Sequence, residues 1–387
     1  MQGHIRKRGK GSWTVVIDLG RDPAKGRRRQ LWQSVKGTKR EAQSLLVQLL
    51  HQRDTGIDAL PGKITVAEYL HRWLQDYARP NTAPKTYRCY EDIIRRHLIP
   101  ILGTMPLTRL RPQHIQAYYS QALQTGRLDR QGGLSARSVL RHHQVLHTAL
   151  RHAVKWQLLA RNPADAVEPP RPGRHELRPV GPEEVRRLLS AADAKPHSTL
   201  VHLAIMTGLR QGELLGLRWQ DVDLGASVLH VQQTAQWLPR QGFIFRQPKT
   251  AKSRRAVALS PETVRRLRQH RQRQLEERLS LGPAYQDHGL VFATPLGMPI
   301  DPSNLRRAWG RIVKAAGLGH LRFHDLRHAH ATLMLQQGVH PKVVSERLGH
   351  SGVGITLDIY SHVLPGLQAA AAAQLDSLVN GTTSELR

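Results

Sequence analysis

Cysteine is nearly absent. Cys89 is the single one among 387 residues, so no intramolecular disulfide is possible and no thiolate cluster can hold zinc. Long apolar runs are missing too: none nears the roughly 20 residues that a membrane-crossing helix needs. The N-terminus also lacks the apolar core of a signal peptide. A cytoplasmic location with no membrane partner is therefore expected. Aromatic residues are sparse at 5%, while a hydrophobic content of 40% suits a largely helical chain with core enough for two or three domains. Acid is in short supply. Asp and Glu number 29 against 58 Lys and Arg, a net charge of +29. Such an excess repels itself in the compact state and so answers to a polyanionic partner. The cations are spread along the chain, which favours a protein enclosing a long phosphate backbone over a globular body with one basic arm.

Three segments follow one another. In the first, Trp13, Val15, Ile17 and Leu19 alternate at the period of a half-buried strand, Arg21 to Gly26 reads as a turn, and Leu31 to Val35 returns. Thr38 then caps a helix whose Leu45, Leu46, Leu49 and Leu50 form an apolar stripe. The cations Arg6, Lys7, Arg8, Lys10, Arg27, Arg28 and Arg29 lie on the strands and turns of this small sheet, suggesting a face laid against DNA. Beyond Pro61-Gly62 the pattern turns helical. Thr65 is a cap; Val66, Tyr69, Leu70, Trp73, Leu74 and Tyr77 make a stripe; further helices are predicted from Lys85 to Leu98, Pro112 to Gln124 and Ser135 to Leu158. The aromatic residues here are expected in the core rather than stacked on bases. Residues 161–182 are proline-rich and form a linker, after which a last domain opens with a helix at Glu183.

The last domain carries the chemistry. In Thr207-Gly208-Leu209-Arg210-Gln211-Gly212-Glu213, a helix from Ser198 breaks at Gly208, Arg210 starts a new turn, and Leu209, Leu214 and Leu217 anchor it. Alone, Arg210 and Glu213 are an ordinary i,i+3 ion pair. Strand signals at Val228 to Val231 and Phe243 to Phe245 lead through a turn bearing Lys249 to a returning strand at Ala256 to Leu259. His324 and Arg327 share one face of a helix that ends at Gly338, and a short helix from Pro341 to Gly349 leaves His350 at its end. Ten residues on stands Tyr360. Gly352 and Gly354 lie between them and cost helix stability, so a mobile tyrosine segment is expected.

Taken together, TGLRQGEL, PKT followed by SRR, HDLRH, LGH and the tyrosine of LDIYSH resemble the motif set of the tyrosine recombinase (phage integrase) family, in that family's order and with similar spacing. The likeness extends over most of the chain. Residues 1–57 resemble the arm-type DNA-binding domain of integrases from phages and conjugative transposons, a three-stranded sheet plus helix. Residues 63–160 resemble the all-helical, SAM-like core-binding domain, and residues 183–387 the mixed α+β catalytic domain with its C-terminal tail. The resemblance thus implies a multidomain, mainly α fold with small β-sheets. It further implies a bacterial, nucleoid-associated enzyme that cleaves and rejoins double-stranded DNA at core- and arm-type attachment sites. The intermediate is a 3′-phosphotyrosyl link, and no cofactor, metal or ATP is needed. Integration and excision of a mobile element is the implied role.

Residue by residue, the likeness makes Tyr360 the nucleophile. Arg210 and Arg327 become planar, permanently charged donors for the non-bridging oxygens on which charge gathers. His324 and His350 add hydrogen bonds or assist proton transfer, Lys249 protonates the leaving 5′ oxygen, and Glu213 supports the arginine site. The tail is implied to dock on a neighbouring protomer of a homotetramer. An excisionase and a host DNA-bending protein are further partners that the sequence leaves open.

Two rival readings fare less well. His324 and His328 have zinc-binding spacing, with His350 or His330 as further ligands, but no Glu follows His324 in the metalloprotease arrangement and the intervening Arg327 would repel a cation. A DNA-binding protein without catalysis would share the charge, yet all six candidate positions carry chemically competent residues.

Overall fold

The computed structural model describes residues 3–21, 28–54, 64–129, 131–173, 180–193, 195–239, 241–247, 253–360 and 367–380. Arg27 and Lys249 lie outside these, as do parts of the linker and of the Tyr360 motif. The chain forms two compact units, Met1–His175 and Glu176–Arg387.

The first unit opens with β1 (Gly3–Gly9), β2 (Ser12–Arg21) and β3 (Arg28–Lys36), antiparallel in the order β1-β2-β3. Helix α1 (Lys39–Asp54) covers one face, where Val15, Ile17, Ala42 and Leu49 make a core. Thr38 caps α1 as the sequence predicts: its hydroxyl accepts from Glu41 N, and Glu41 accepts from Thr38 N at 2.7 Å. The central strand departs from the half-buried expectation. Thr14 and Val16, on the face away from α1, are 3% and 1% exposed. They pair with Arg6 and Ser34 and with His4 and Trp32, and the longer Arg6, His4 and Trp32 side chains cover them.

A helical set follows: α2 (Val66–Trp73), α3 (Arg79–Asn81), α4 (Pro84–Ile93), α5 (Ile99–Leu102), α6 (Pro112–Thr125) and α7 (Ala136–Lys155). Thr65 and Glu68 cap α2 reciprocally. Single π turns at Leu74–Ala78 and Ile94–Leu98 carry α2 into α3 and α4 into α5, so the second helix runs on past the expected Leu98. Helix α7 stops before Leu158, where Gln157 takes a φ of 60°. Tyr69, Trp73, Tyr118 and Tyr119 are fully buried, core residues as expected.

The second unit contains α8 (Pro182–Asp193), α9 (Ser198–Thr207), α10 (Gln211–Leu215), β4 (Val222–Asp223), β5 (Val228–Val231), β6 (Thr234–Leu238), β7 (Gly242–Arg246) and β8 (Arg255–Ala258). Then come α11 (Pro261–Leu281), α12 (Pro302–Ala315), α13 (Asp325–Gln336), α14 (Pro341–Leu348), α15 (Val353–Tyr360) and α16 (Leu367–Asn380). Its strands correct the sequence reading. Val228–Val231 pairs with β8, whereas Phe243 to Phe245 belongs to a separate hairpin with β6, which that reading missed. The chain steps out of the first sheet at Gln233, whose amide donates to Gly216 O at 2.8 Å. Strand β6 then lies so close to α10 that a Cβ on Gly212 would collide with the Thr234 hydroxyl. Gly354 falls inside α15, so the glycines before Tyr360 do not prevent a helix there.

Candidate active site

Two helix ends build the site. Helix α9 is all but wholly buried and stops at Gly208, whose φ of 64° is left-handed. That residue turns Leu209 into the core and leaves Arg210 as the N-cap of α10. Helix α14 stops in the same way at Gly349, with φ 65°, and His350 follows.

The last carbonyls of a helix have no partner within it and carry the negative end of its dipole. Arginines occupy that end here. Arg255 Nε donates to Arg347 O at 2.6 Å, Arg327 Nη2 to Leu348 O at 2.6 Å, and Arg210 Nη2 to Gly349 O at 3.3 Å. Arg327 also reaches the end of α9, donating from Nη1 to Gly208 O at 2.7 Å. A guanidinium in the first turn of α13, only 4% exposed, therefore ties the ends of α9 and α14 together. The planar fork suits this, since two nitrogens donate in fixed directions.

Glu213 is the counterweight. Its carboxylate is 5% exposed and sits between two guanidiniums: Arg210 Nη1 at 2.8 Å and N at 2.9 Å, and Arg255 Nη2 at 2.9 Å. Burial alone would raise its pKa, but the hydrogen bond and charge of Arg255, together with Arg210, outweigh burial and hold it below the ordinary carboxylate value.

The histidines are kept neutral. Burial pushes His350 down to about 4, helped by Arg327, Arg210 and Arg255. Burial first and Arg327 second lower His324, which N-caps α13. His350 Nδ1 lies 2.8 Å from the hydroxyl of Thr356, a fully buried residue of α15. Tyr360 closes α15 one turn beyond Thr356. Beside His324 a cavity of about 550 Å³ is lined by Gln211, Arg306, Trp309, Lys314 and Arg322, with cations around an apolar floor.

Of the residues expected at the site, Arg210, Glu213 and Arg327 are tied by hydrogen bonds to each other or to these helix ends, while His350, next after Gly349, and His324 lie within the field of both arginines. The backbone of Tyr360 belongs to the helix tied to His350. Lys249 is outside the described residues. Arg6, Lys7, Arg8 and Lys10 are exposed on or just after β1; Arg6 stands 5.6 Å over the Trp32 ring, and Arg28 and Arg29 open β3. The sequence reading missed Arg255 and Thr356. A signal for Arg255 existed: alternation with Val257 puts it on the inward side of β8, where an arginine requires a buried acid.

A rigid cluster of arginines with neutral histidines is suited to holding a phosphate-like anion and stabilising the charge that develops on it. His324 and His328 meet edge to face at 5.3 Å. Among the described residues no group of three or more His, Cys, Asp or Glu is arranged to hold a metal ion, and no helix is long and apolar enough to cross a membrane.

Residues 179–366 match the phage integrase family and residues 65–123 its N-terminal SAM-like domain. A tyrosine recombinase XerC-like protein of Caldanaerobacter subterraneus subsp. tengcongensis is 32% identical, covering 96% of this chain and 97% of that protein. In fold, the chain is similar to the Tn1549 transposon integrase in complex with a circular intermediate DNA, with a TM-score of 0.67 at 20% identity, covering 81% of this chain and 100% of that one. It is similar also to a lambda integrase tetramer bound to a Holliday junction, with a TM-score of 0.55 at 21% identity, covering 90% and 95%. The chain belongs to the phage integrase family, the site-specific tyrosine recombinases, which cut and rejoin DNA.

Proposed function

We propose that Tyr360 attacks a DNA phosphodiester at this site, forming a 3′-phosphotyrosyl bond as the bond to the 5′ oxygen breaks. Arg210 and Arg327 hold the non-bridging oxygens. His324 and His350, neutral near pH 7, take up or relay the tyrosine proton, and Lys249 protonates the leaving oxygen. Religation reverses the step with another strand's 5′ hydroxyl, so the energy of the broken bond is kept in the tyrosyl link. The observation that carries this reading is the mutual anchoring of Arg210 and Arg327 on the carbonyls of residues 208, 348 and 349.

The reading extends to the whole chain. Residues 1–57 bind arm-type sites through the cations Arg6, Lys7, Arg8, Lys10, Arg27, Arg28 and Arg29. Residues 63–160 clasp the core site, residues 161–182 link, and residues 183–387 carry the chemistry. The substrate is the attachment DNA of a mobile element, which the enzyme integrates and excises. Four copies act together, each tail docking on a neighbour; exposed Leu375, Leu378 and Val379 on α16 support that role. An excisionase and a host DNA-bending protein set direction. A nicked suicide duplex of the element's own junction tests the chemistry: the wild type should be trapped covalently and Tyr360→Phe should not. Trapping by Tyr360→Phe would overturn the nucleophile assignment.

A further inference from the structure

Behind the arginines lies a second tie between the same helices, one that the recombination chemistry does not itself use. His330, in α13 one turn after Arg327, is 6% exposed. Its Nδ1 lies 2.9 Å from Ile205 O, near the end of α9, and its Nε2 lies 3.3 Å from Arg347 Nε of α14. Arg347 reaches on to Met206 O at 3.0 Å. A carbonyl can only accept, so Nδ1 carries the proton and donates. Arg347 Nε–H can only donate, so Nε2 is the acceptor. The ring is therefore fixed as one neutral tautomer. Burial, then the charges of Arg347 and Arg327, push its pKa down to about 4, which keeps that tautomer near pH 7.

The geometry matches the site in front of it. Arg327 spans Gly208 O and Leu348 O, whereas the His330–Arg347 pair spans Ile205 O and Met206 O to the last turn of α14. Gly208 makes room for the ring, since a Cβ there would stand 2.7 Å from His330 Cδ2. Arg347 is bound a second time through its own carbonyl, which accepts from Arg255, the partner of Glu213.

We infer that His330 and Arg347 are positioning residues for strand cleavage: their bridge sets the spacing between the ends of α9 and α14 across which Arg327 is stretched, and so aims Arg210, Arg327 and His350 at the phosphate. Neither touches DNA. The inference rests on the proposed phosphotyrosyl chemistry.

The two nitrogens of His330 can be tested separately. Gln at this position places an acceptor near Nε2, whereas Phe keeps ring volume and removes both groups. The readouts are the single-turnover rate of covalent trapping at saturating protein on a nicked suicide duplex, the Kd for the same duplex, and the thermal midpoint. His330→Phe and Arg347→Met should each lose on the order of ten- to a hundredfold in trapping rate, the scale of a small misplacement, with Kd changed less than about threefold. The double variant should be little worse than either single, and His330→Gln should recover most of the rate. Trapping by folded His330→Phe at the wild-type rate would overturn the inference, as would a loss confined to Kd or to the thermal midpoint. Should His330→Phe fail to melt cooperatively, the half-buried Arg347→Met decides by the same criteria. A wild type that does not trap DNA through Tyr360 would instead overturn the proposed chemistry.

Discussion

At the residue scale the site turns on one carboxylate. Glu213 is almost wholly desolvated, and only its hydrogen bonds to Arg210 and Arg255 keep it charged. Glu213→Gln should cost about 3 kcal/mol, because it leaves the buried Arg255 without its acid. A thermal or urea unfolding series would measure this. The folded pKa is lowered, so the stability Glu213 contributes is present above the ordinary carboxylate value of 4.5 and is lost as pH falls through the folded value. The stability gap between wild type and Glu213→Gln should therefore be full at neutral pH and narrow in acid. Arg327→Lys probes the fork directly. An ammonium cannot donate in fixed directions to Gly208 O and Leu348 O while offering planar donors to phosphate. Covalent trapping should fall by about a hundredfold or more with duplex affinity largely kept. Unchanged trapping in that variant would remove Arg327 from the mechanism. The Arg210–Glu213 pair was legible because its spacing is local. Arg255 was not assigned: its alternation with Val257 marks it as inward-facing, but its acid lies 42 residues away and only the fold brings the two together.

At the scale of elements, most helices and the strands β5, β7 and β8 were legible, whereas β6 and the pairing of the strands were not. Apolar stripes, Thr38, Thr65 and Ser135 as caps, and glycine stops announce helices locally. Strand β6 left a weak trace, because Trp237 stays 42% exposed and the hairpin packs against α10 rather than a sheet. The π turns left no trace, for they continue the same apolar stripe. Gly208 is the element boundary that matters most. Its left-handed φ excludes a side chain at little strain, and a Cβ would stand 2.6 Å from Leu348 Cδ2. Gly208→Ala should destabilise the protein by about 2 kcal/mol. Because the displaced groups lie between α9 and α14, trapping should fall too, even at temperatures where the variant is fully folded. A variant with wild-type melting and trapping would show that this turn has slack. Gly354, inside α15, meets no such wall, and a Cβ there would find open space.

For the whole molecule, the informative quantity is charge, and composition alone disclosed it. A net +29 predicts an affinity for DNA that collapses with salt. Each phosphate neutralised contributes a slope of about −0.9 to log K against log salt, so a chain that encloses its duplex should show a slope of about −6 or steeper. How that slope divides along the chain separates the arm-binding reading from a merely solvated sheet edge. Arg6, Lys7, Arg8 and Lys10 are exposed, far in sequence from the arginines of the site, and Arg6 is held over the ring of Trp32. Replacing all four by Ala in the full chain leaves the core of Val15, Ile17, Ala42 and Leu49 intact and costs only the cover that Arg6 gives Thr14 and Trp32. If this face binds its own duplex, the slope on a long attachment fragment should become shallower by up to about four times 0.9. Footprinting should then lose a distal protected site and keep the core site, while trapping on a short core duplex stays at the wild-type rate. Equal loss of protection at both sites would mean that these cations serve the core duplex. An unchanged slope would mean that they face solvent only.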